Sequence, residues 1–126
     1  MPTTLKDMLA IANAEVPRLP PDEAKALIAR GDILIVDVRD AAELQSGGRV
    51  KGAVHVPRGM LEFRADPDSP YHNPALTRDK TVLVYCASGG RSALSGKTLK
   101  DLGYAAVFNI GGFKELEDAG IATEPG

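Results

Sequence analysis

Reactive sulfur is scarce in this sequence: 126 residues include one cysteine, Cys86. A single cysteine excludes an internal disulfide, and with only His55 and His72 beside it the soft ligands are too few for a structural zinc site. Long apolar runs are also missing. No stretch approaches a membrane span, and Asp7, Asn13 and Glu15 interrupt the N-terminal apolar pattern that a signal peptide needs. Neither sign of charge dominates, because 15 Lys and Arg are interspersed among 17 Asp and Glu for a formal charge of −2. With no basic stripe to follow a phosphate backbone, neither nucleic acid nor membrane is an expected partner. Nine prolines and thirteen glycines are spread along the chain as punctuation, with no low-complexity tract and no internal repeat. The expectation is one domain in a reducing cytoplasm, long enough to bury roughly two-thirds of its unfolded surface.

What is present is punctuated periodicity. Leu5, Met8, Leu9 and Ala12 recur at helical spacing, which predicts a helix over residues 4–14, stopped before Pro17, with its apolar face packed on the domain. Pro20-Pro21-Asp22-Glu23 opens a second helix that Gly31 closes. Ile33 to Val38 reads as a strand buried on both faces, and Asp40 with Glu43 forms a capping-box pattern for a short helix through Gln45. Ala53 to Val56, Thr81 to Tyr85 and Ala106 to Ile110 read as further strands. Met60 to Ala65, Arg91 to Leu102 and Phe113 to Ala119 read as helical. The alternation predicts an α/β domain whose mainly parallel sheet carries helices on both faces.

Cys86 stands where a strand runs into a helix, and Ala87, Ser88, Gly89 and Gly90 lead from it to Arg91 and Ser92. That spacing places the thiol at the positive end of a helix dipole, within a ring of backbone N–H groups and beside a guanidinium. A free thiol titrates near about 8.5, so only about three per cent is thiolate at pH 7, and a helix dipole alone shifts it by roughly one unit. Convergent amides and Arg91 are expected to supply the rest. Gly89 and Gly90 suit a loop that needs positive φ, while Ala87 and Ser88 are small enough to leave the pocket open. A lone cysteine is commonly only a buried apolar residue, but the Gly-Gly-Arg-Ser continuation points to a nucleophile that also holds an anion.

Four stretches, in order, resemble the rhodanese family of sulfurtransferases, from about Leu19 to Glu124. They are Leu34-Ile-Val-Asp-Val-Arg39 with Glu43, Gly52-Ala-Val-His-Val-Pro57, Tyr85-Cys86 through Arg91-Ser92, and Leu102-Gly-Tyr104 with Val107 and Gly111-Gly112. The resemblance implies a single rhodanese-like domain over residues 19–126, preceded by an N-terminal helical extension over 1–18. It also implies a reaction. Cys86 takes sulfane sulfur from a small anionic donor such as thiosulfate, becomes a persulfide, and passes the sulfur to cyanide or a thiol, a protein thiol included. No cofactor and no metal are expected. Ala87, Ser88, Gly89, Gly90, Arg91 and Ser92 are the expected donor-binding residues. The chain departs from the family pattern at Arg49 and Lys51, where the family often has Gly-His-Ile-x-Gly-Ala, and at Leu116, where it usually has tryptophan.

Two rival readings remain. A cysteine phosphatase or arsenate reductase shares the thiolate and arginine, although phosphatases use Cys-x5-Arg and this loop has four intervening residues. A non-catalytic binding domain of the same fold is the other. Asp37 and Arg39 read as structural support at a strand end, His55 as a satisfied strand-edge residue and His72 as solvated. Arg49, Arg58 and Arg64 are candidates for drawing in a dianion, though scattered arginines are usually surface charge. Gly111-Gly112 reads as a tight turn. The irregular, proline-rich segment from Arg58 to Asn73 is expected beside the pocket mouth, acting on acceptor choice.

Overall fold

Alternate side chains of two apolar runs go to opposite sides of one sheet. The computed structural model describes residues 2–126, so Met1 of the expected extension lies outside the described residues. β1 (Ile33–Asp37) and β4 (Thr81–Cys86) are neighbours in a parallel sheet of order β3-β1-β4-β5, with β3 at Val54–His55 and β5 at Val107–Gly112. Leu34, Val36, Val82, Val84 and Cys86 join Val16, Leu61, Leu99 and Val107 in one core cluster. Ile35, Leu83 and Tyr85 face the other way, toward Ala24, Ile110, Phe113 and Leu116. Helices α1 (Leu5–Glu15), α4 (Leu61–Ala65) and α5 (Gly90–Asp101) therefore lie on one face, and α2 (Pro21–Arg30) and α6 (Phe113–Asp118) on the other. The expected α/β layering is present, and Leu116 is fully buried where the family usually has tryptophan.

The helix starts follow their sequence signals. Thr4 caps α1 through the Asp7 N–H at 3.1 Å, and the Asp7 carboxylate accepts the Thr4 N–H in return. Asp40 stands ahead of α3 (Ala41–Gly47), and its N–H donates to Glu43 Oε1 at 3.1 Å. The face expected to bury α1 is only partly used. Ala12 and the following Val16 are buried against α5, but Leu5 is 62% exposed, Met8 48% and Ile11 50%. Met8 and Ile11 instead line an open groove with Leu94, Lys97, Thr98 and Asp101 of α5.

Three further elements differ from expectation. Arg49–Val50 (β2) pairs antiparallel with Thr123–Glu124 (β6), a ribbon of two-residue strands too short for any periodicity. Gly111 and Gly112 are not a turn. They end β5 opposite Tyr85 and Cys86, after an irregularity in register. Gly112 sits so close to the Ala87 carbonyl that a Cβ there would overlap it. The segment after Pro57 begins near the sheet's C-terminal end, where Arg58 N–H donates to Val38 O at 3.1 Å, then runs to the opposite end. There the Tyr104 hydroxyl sits 2.8 Å from the Ala65 carbonyl and 3.2 Å from the Leu76 carbonyl, and Arg78 Nε donates to Leu102 O at 2.7 Å. Residues 64–78 are thus tied to the end of α5 remote from Cys86, because the buried Tyr104 hydroxyl finds its acceptors there. For residues 64–73 this corrects the expectation that the segment from Arg58 to Asn73 lies at the pocket mouth, whereas its start at Arg58 does lie near that end of the sheet. His72 is half-buried rather than solvated, its Nε2 3.0 Å from Leu76 O.

Candidate active site

Cys86 is the last residue of β4 and continues the inward row of Val82 and Val84, so the strand delivers its sulfur, 1% exposed, to the base of the loop that starts α5. Ala87 and Ser88 are exposed above it. Gly89 then turns the chain with φ +103°, a conformation that a side chain would strain, and this turn aims the Gly89 N–H at Cys86 Sγ, 3.0 Å away. The Ser92 hydroxyl lies 3.4 Å from the same sulfur and donates to Asn109 Oδ1 at 2.8 Å. Asn109 Oδ1 also accepts the Gly111 N–H at 3.0 Å, while Asn109 Nδ2 donates to Gly89 O at 3.0 Å. One buried amide therefore fixes both the turn and the serine. When the thiol ionises, the Ser92 hydrogen is free to swing from Asn109 to the sulfur, because Asn109 Oδ1 keeps its Gly111 donor.

Burial pushes the Cys86 thiol up. The Ser92 hydroxyl and the amides of Ser92, Ser88 and Gly89 outweigh that and bring it below its ordinary value. Arg91, expected beside the sulfur, has another engagement. Its two terminal nitrogens donate to the two Glu43 oxygens at 2.7 and 3.0 Å, linking α5 to α3. The hydrogen bond to Glu43 is the main cause that raises Arg91, with the Cys86 charge a smaller one. The reciprocal bond from Arg91 lowers Glu43 to about 2. Because the folded value lies below the unfolded one, this contribution is complete above about pH 4.5 and disappears as pH falls toward 2. Glu43→Gln is expected to destabilise the fold at pH 7 by about 1 kcal/mol, a value discounted for the partial solvent exposure of both side chains. Urea midpoints of the two proteins should converge between about pH 4.5 and 2.

Asp37 and Arg39 lie at the end of β1. Arg39 Nε and Nη2 donate to the Asp37 carboxylate at 2.7–3.2 Å, and Nη2 also donates to Gly48 O at 2.8 Å. The guanidinium carbon stands 4.4 Å from the Phe113 ring centre and 5.5 Å from that of Tyr85. The pair fastens the end of α3 to the sheet. His55 Nε2 lies 2.6 Å from the Arg39 carbonyl at the edge of the sheet. Arg49 is paired with Glu124 at 3.2 Å and Arg58 with Glu62 at 3.1 Å, so both meet neighbouring carboxylates.

Two residues near the loop were not anticipated. Asn109 is the polar member of the apolar run Val107-Phe-Asn-Ile and is 1% exposed, the one signal by which it could have been found. Arg18 belongs to the N-terminal segment, and its guanidinium lies against Gly89 and Gly111.

The family model described as "Rhodanese-like domain" matches residues 20–119. The thiosulfate sulfurtransferase GlpE of Pseudomonas savastanoi pv. phaseolicola is 33% identical over 103 residues, covering 81% of this chain and 87% of that protein. A Rhodopseudomonas palustris CGA009 structure, of a protein of unknown function described as a possible tyrosine phosphatase, is 41% identical with a TM-score of 0.88. It covers 98% of this chain and 99% of its own. The polysulfide-sulfur transferase homodimer of Wolinella succinogenes is 32% identical with a TM-score of 0.75, covering 94% and 85%. The chain spans about a third of the length of other curated relatives, 36% of YrkF of Bacillus subtilis and 32% of the tRNA uridine(34) hydroxylase of Acinetobacter baylyi. A thiol seated at a strand-to-helix loop, within a family match that takes in every strand of the parallel sheet, makes this chain a member of the rhodanese-like domain family.

Proposed function

We propose that the protein is a sulfurtransferase that carries sulfane sulfur on Cys86, with thiosulfate as donor. The observation that carries this reading is the Gly89 N–H directed at Cys86 Sγ at 3.0 Å, in a loop that lowers the thiol's pKa. The Cys86 thiolate attacks the outer sulfur of thiosulfate, a new S–S bond forms, the old one breaks, and sulfite leaves with the electron pair. The enzyme then carries Cys–S–S⁻. A thiolate acceptor, on a small molecule or a protein, or cyanide attacks the outer sulfur, takes it, and returns the Cys86 thiolate. Charge balances in both steps with no outside oxidant or reductant, so neither step calls for a cofactor. The amides of residues 87–92 and the Ser92 hydroxyl hold the sulfur and the donor. Arg91 shapes this cradle through Glu43, and Asp37 and Arg39 support it from the strand end. The name of the GlpE relative supports thiosulfate as donor. Residues 1–18 form an extension to the family domain, and the cytoplasm is the proposed compartment. Among the described residues no helix is long and apolar enough to cross a membrane.

Intact mass after thiosulfate treatment is the direct test. One added sulfur, removed again by cyanide, is the expected result, and an unchanged mass would reject the mechanism. The phosphatase reading draws on what the Rhodopseudomonas palustris protein is described as. With its two terminal nitrogens on Glu43, and only four residues between it and Cys86, Arg91 is not placed to meet the equatorial oxygens of phosphoryl transfer as the arginine of a Cys-x5-Arg loop does. No Cys86-dependent hydrolysis of an aryl phosphate is expected.

A further inference from the structure

The N-terminal segment reaches the thiol loop through the backbone. Asn109 N–H donates to Pro17 O, and Leu19 N–H to Asn109 O, both at 3.0 Å, so residues 17–19 run alongside the exposed edge of β5. That pairing fixes the Cα of Arg18 beside the residue that organises the loop. Its side chain then fills space that two glycines leave empty. A Cβ on Gly89 would stand 2.7 Å from Arg18 Nη1, and one on Gly111 would stand 2.9 Å from Nη2. Gly89 is also the residue whose amide donates to Cys86 Sγ. A cation therefore lies against the turn that holds the sulfur, contributed from outside residues 20–119 of the family match.

The two arginines at the loop are engaged very differently. Arg91 makes a two-pronged bond with Glu43 at 2.7 and 3.0 Å. Arg18 faces Glu115 at 3.5 Å, with the two side chains 50% and 57% exposed, and Glu115 Oε1 lies 3.3 Å from the Gly112 N–H it accepts. Half-exposed pairs at that distance exchange readily with solvent and other anions.

We propose that Arg18 is a donor-recognition residue: it leaves Glu115 to bind the anionic end of the sulfur donor above the Gly89 turn, while the sulfane sulfur meets Cys86. The inference rests on the sulfurtransferase reading and adds the group that selects anionic donors. Arg18 guides and holds the donor, and the loop amides meet the sulfur.

Because the chain has one cysteine, alkylation reports on Cys86 alone. Iodoacetate and iodoacetamide differ in charge but share the same route to the sulfur, so their rate ratio cancels loop opening and thiolate fraction. Arg18→Gln should lower the iodoacetate-to-iodoacetamide ratio by roughly three- to tenfold and slow persulfide formation from thiosulfate by a similar factor. Arg18→Lys should retain most of both, and Glu115→Gln, which frees the cation, should raise the ratio. An unchanged ratio in Arg18→Gln, or a parallel loss of both alkylation rates, would overturn the inference and leave Arg18 a packing residue. If the ratio falls as expected but the unmodified protein gains no sulfur from thiosulfate, the anion site stands and the choice of donor is wrong.

Discussion

Cys86→Ser is expected to yield a folded protein whose sulfur transfer falls by at least about a thousandfold, the scale on which removal of an attacking group usually acts. A serine hydroxyl has no comparable anion population at neutral pH, and the Gly89 amide and Ser92 hydroxyl that favour a thiolate cannot bring it into range. The substitution is nearly isosteric at a site 1% exposed, so thermal unfolding should shift little. Turnover of thiosulfate by the variant, measured as sulfite release, checks the result, and substantial remaining activity would exclude the persulfide route. In the unmodified protein, the pH at half-maximal iodoacetamide rate should lie below that of an ordinary cysteine. It should rise in Ser92→Ala, where the hydroxyl that lowers the thiol pKa is gone.

The largest expected effect on stability lies at the end of β1, the strand that runs parallel beside β4. Asp37 is fully buried and Arg39 is 4% exposed, so Asp37→Ala leaves a guanidinium whose remaining hydrogen-bond partner among the described residues is the Gly48 carbonyl. Breaking one side of such a pair costs about 3–5 kcal/mol, out of the roughly 5–15 that hold a domain of this size. Urea denaturation should show a midpoint shift of that order. Replacing both partners, as Asp37→Leu with Arg39→Met, should recover part of the loss, since the stranded charge is then gone although the Gly48 carbonyl is left unmet. A loss no greater than that of a surface substitution would mean that water reaches Arg39.

The elements that set the fold could be read along the chain because each carries a local signal. The apolar runs at Ile33 and Thr81 are strands buried on two faces, and Thr4, Asp40 and Pro20-Pro21 open helices where their chemistry allows. The position of Cys86 at a strand-to-helix junction was legible for the same reason. The remainder depends on contacts between distant residues. Gly111-Gly112 has the composition of a turn, yet its glycines answer to the Ala87 carbonyl and the Arg18 head. Arg91 looked committed to the thiol because only its neighbours in sequence were visible, whereas its partner Glu43 comes from a different helix. The path of residues 64–78 was decided by the Tyr104 hydroxyl, whose acceptors no pattern announces. Asn109 and Arg18 were missed because a polar residue in a strand, or an arginine before a proline-rich helix start, acquires meaning only when the loop is beside it.

The Gly89 amide, fixed on Cys86 Sγ at 3.0 Å by a backbone that glycine alone adopts comfortably, also makes the protein its own spectroscopic observer. An amide proton shared with sulfur is deshielded as that sulfur gains charge, so the Gly89 nitrogen–proton resonance should move when the thiol ionises and again when the charge passes to an outer sulfur. Nuclear magnetic resonance on uniformly labelled protein would then follow thiol, thiolate and persulfide as distinct positions of one peak. The two half-reactions become visible at a single atom, without a coupled assay and without altering any residue.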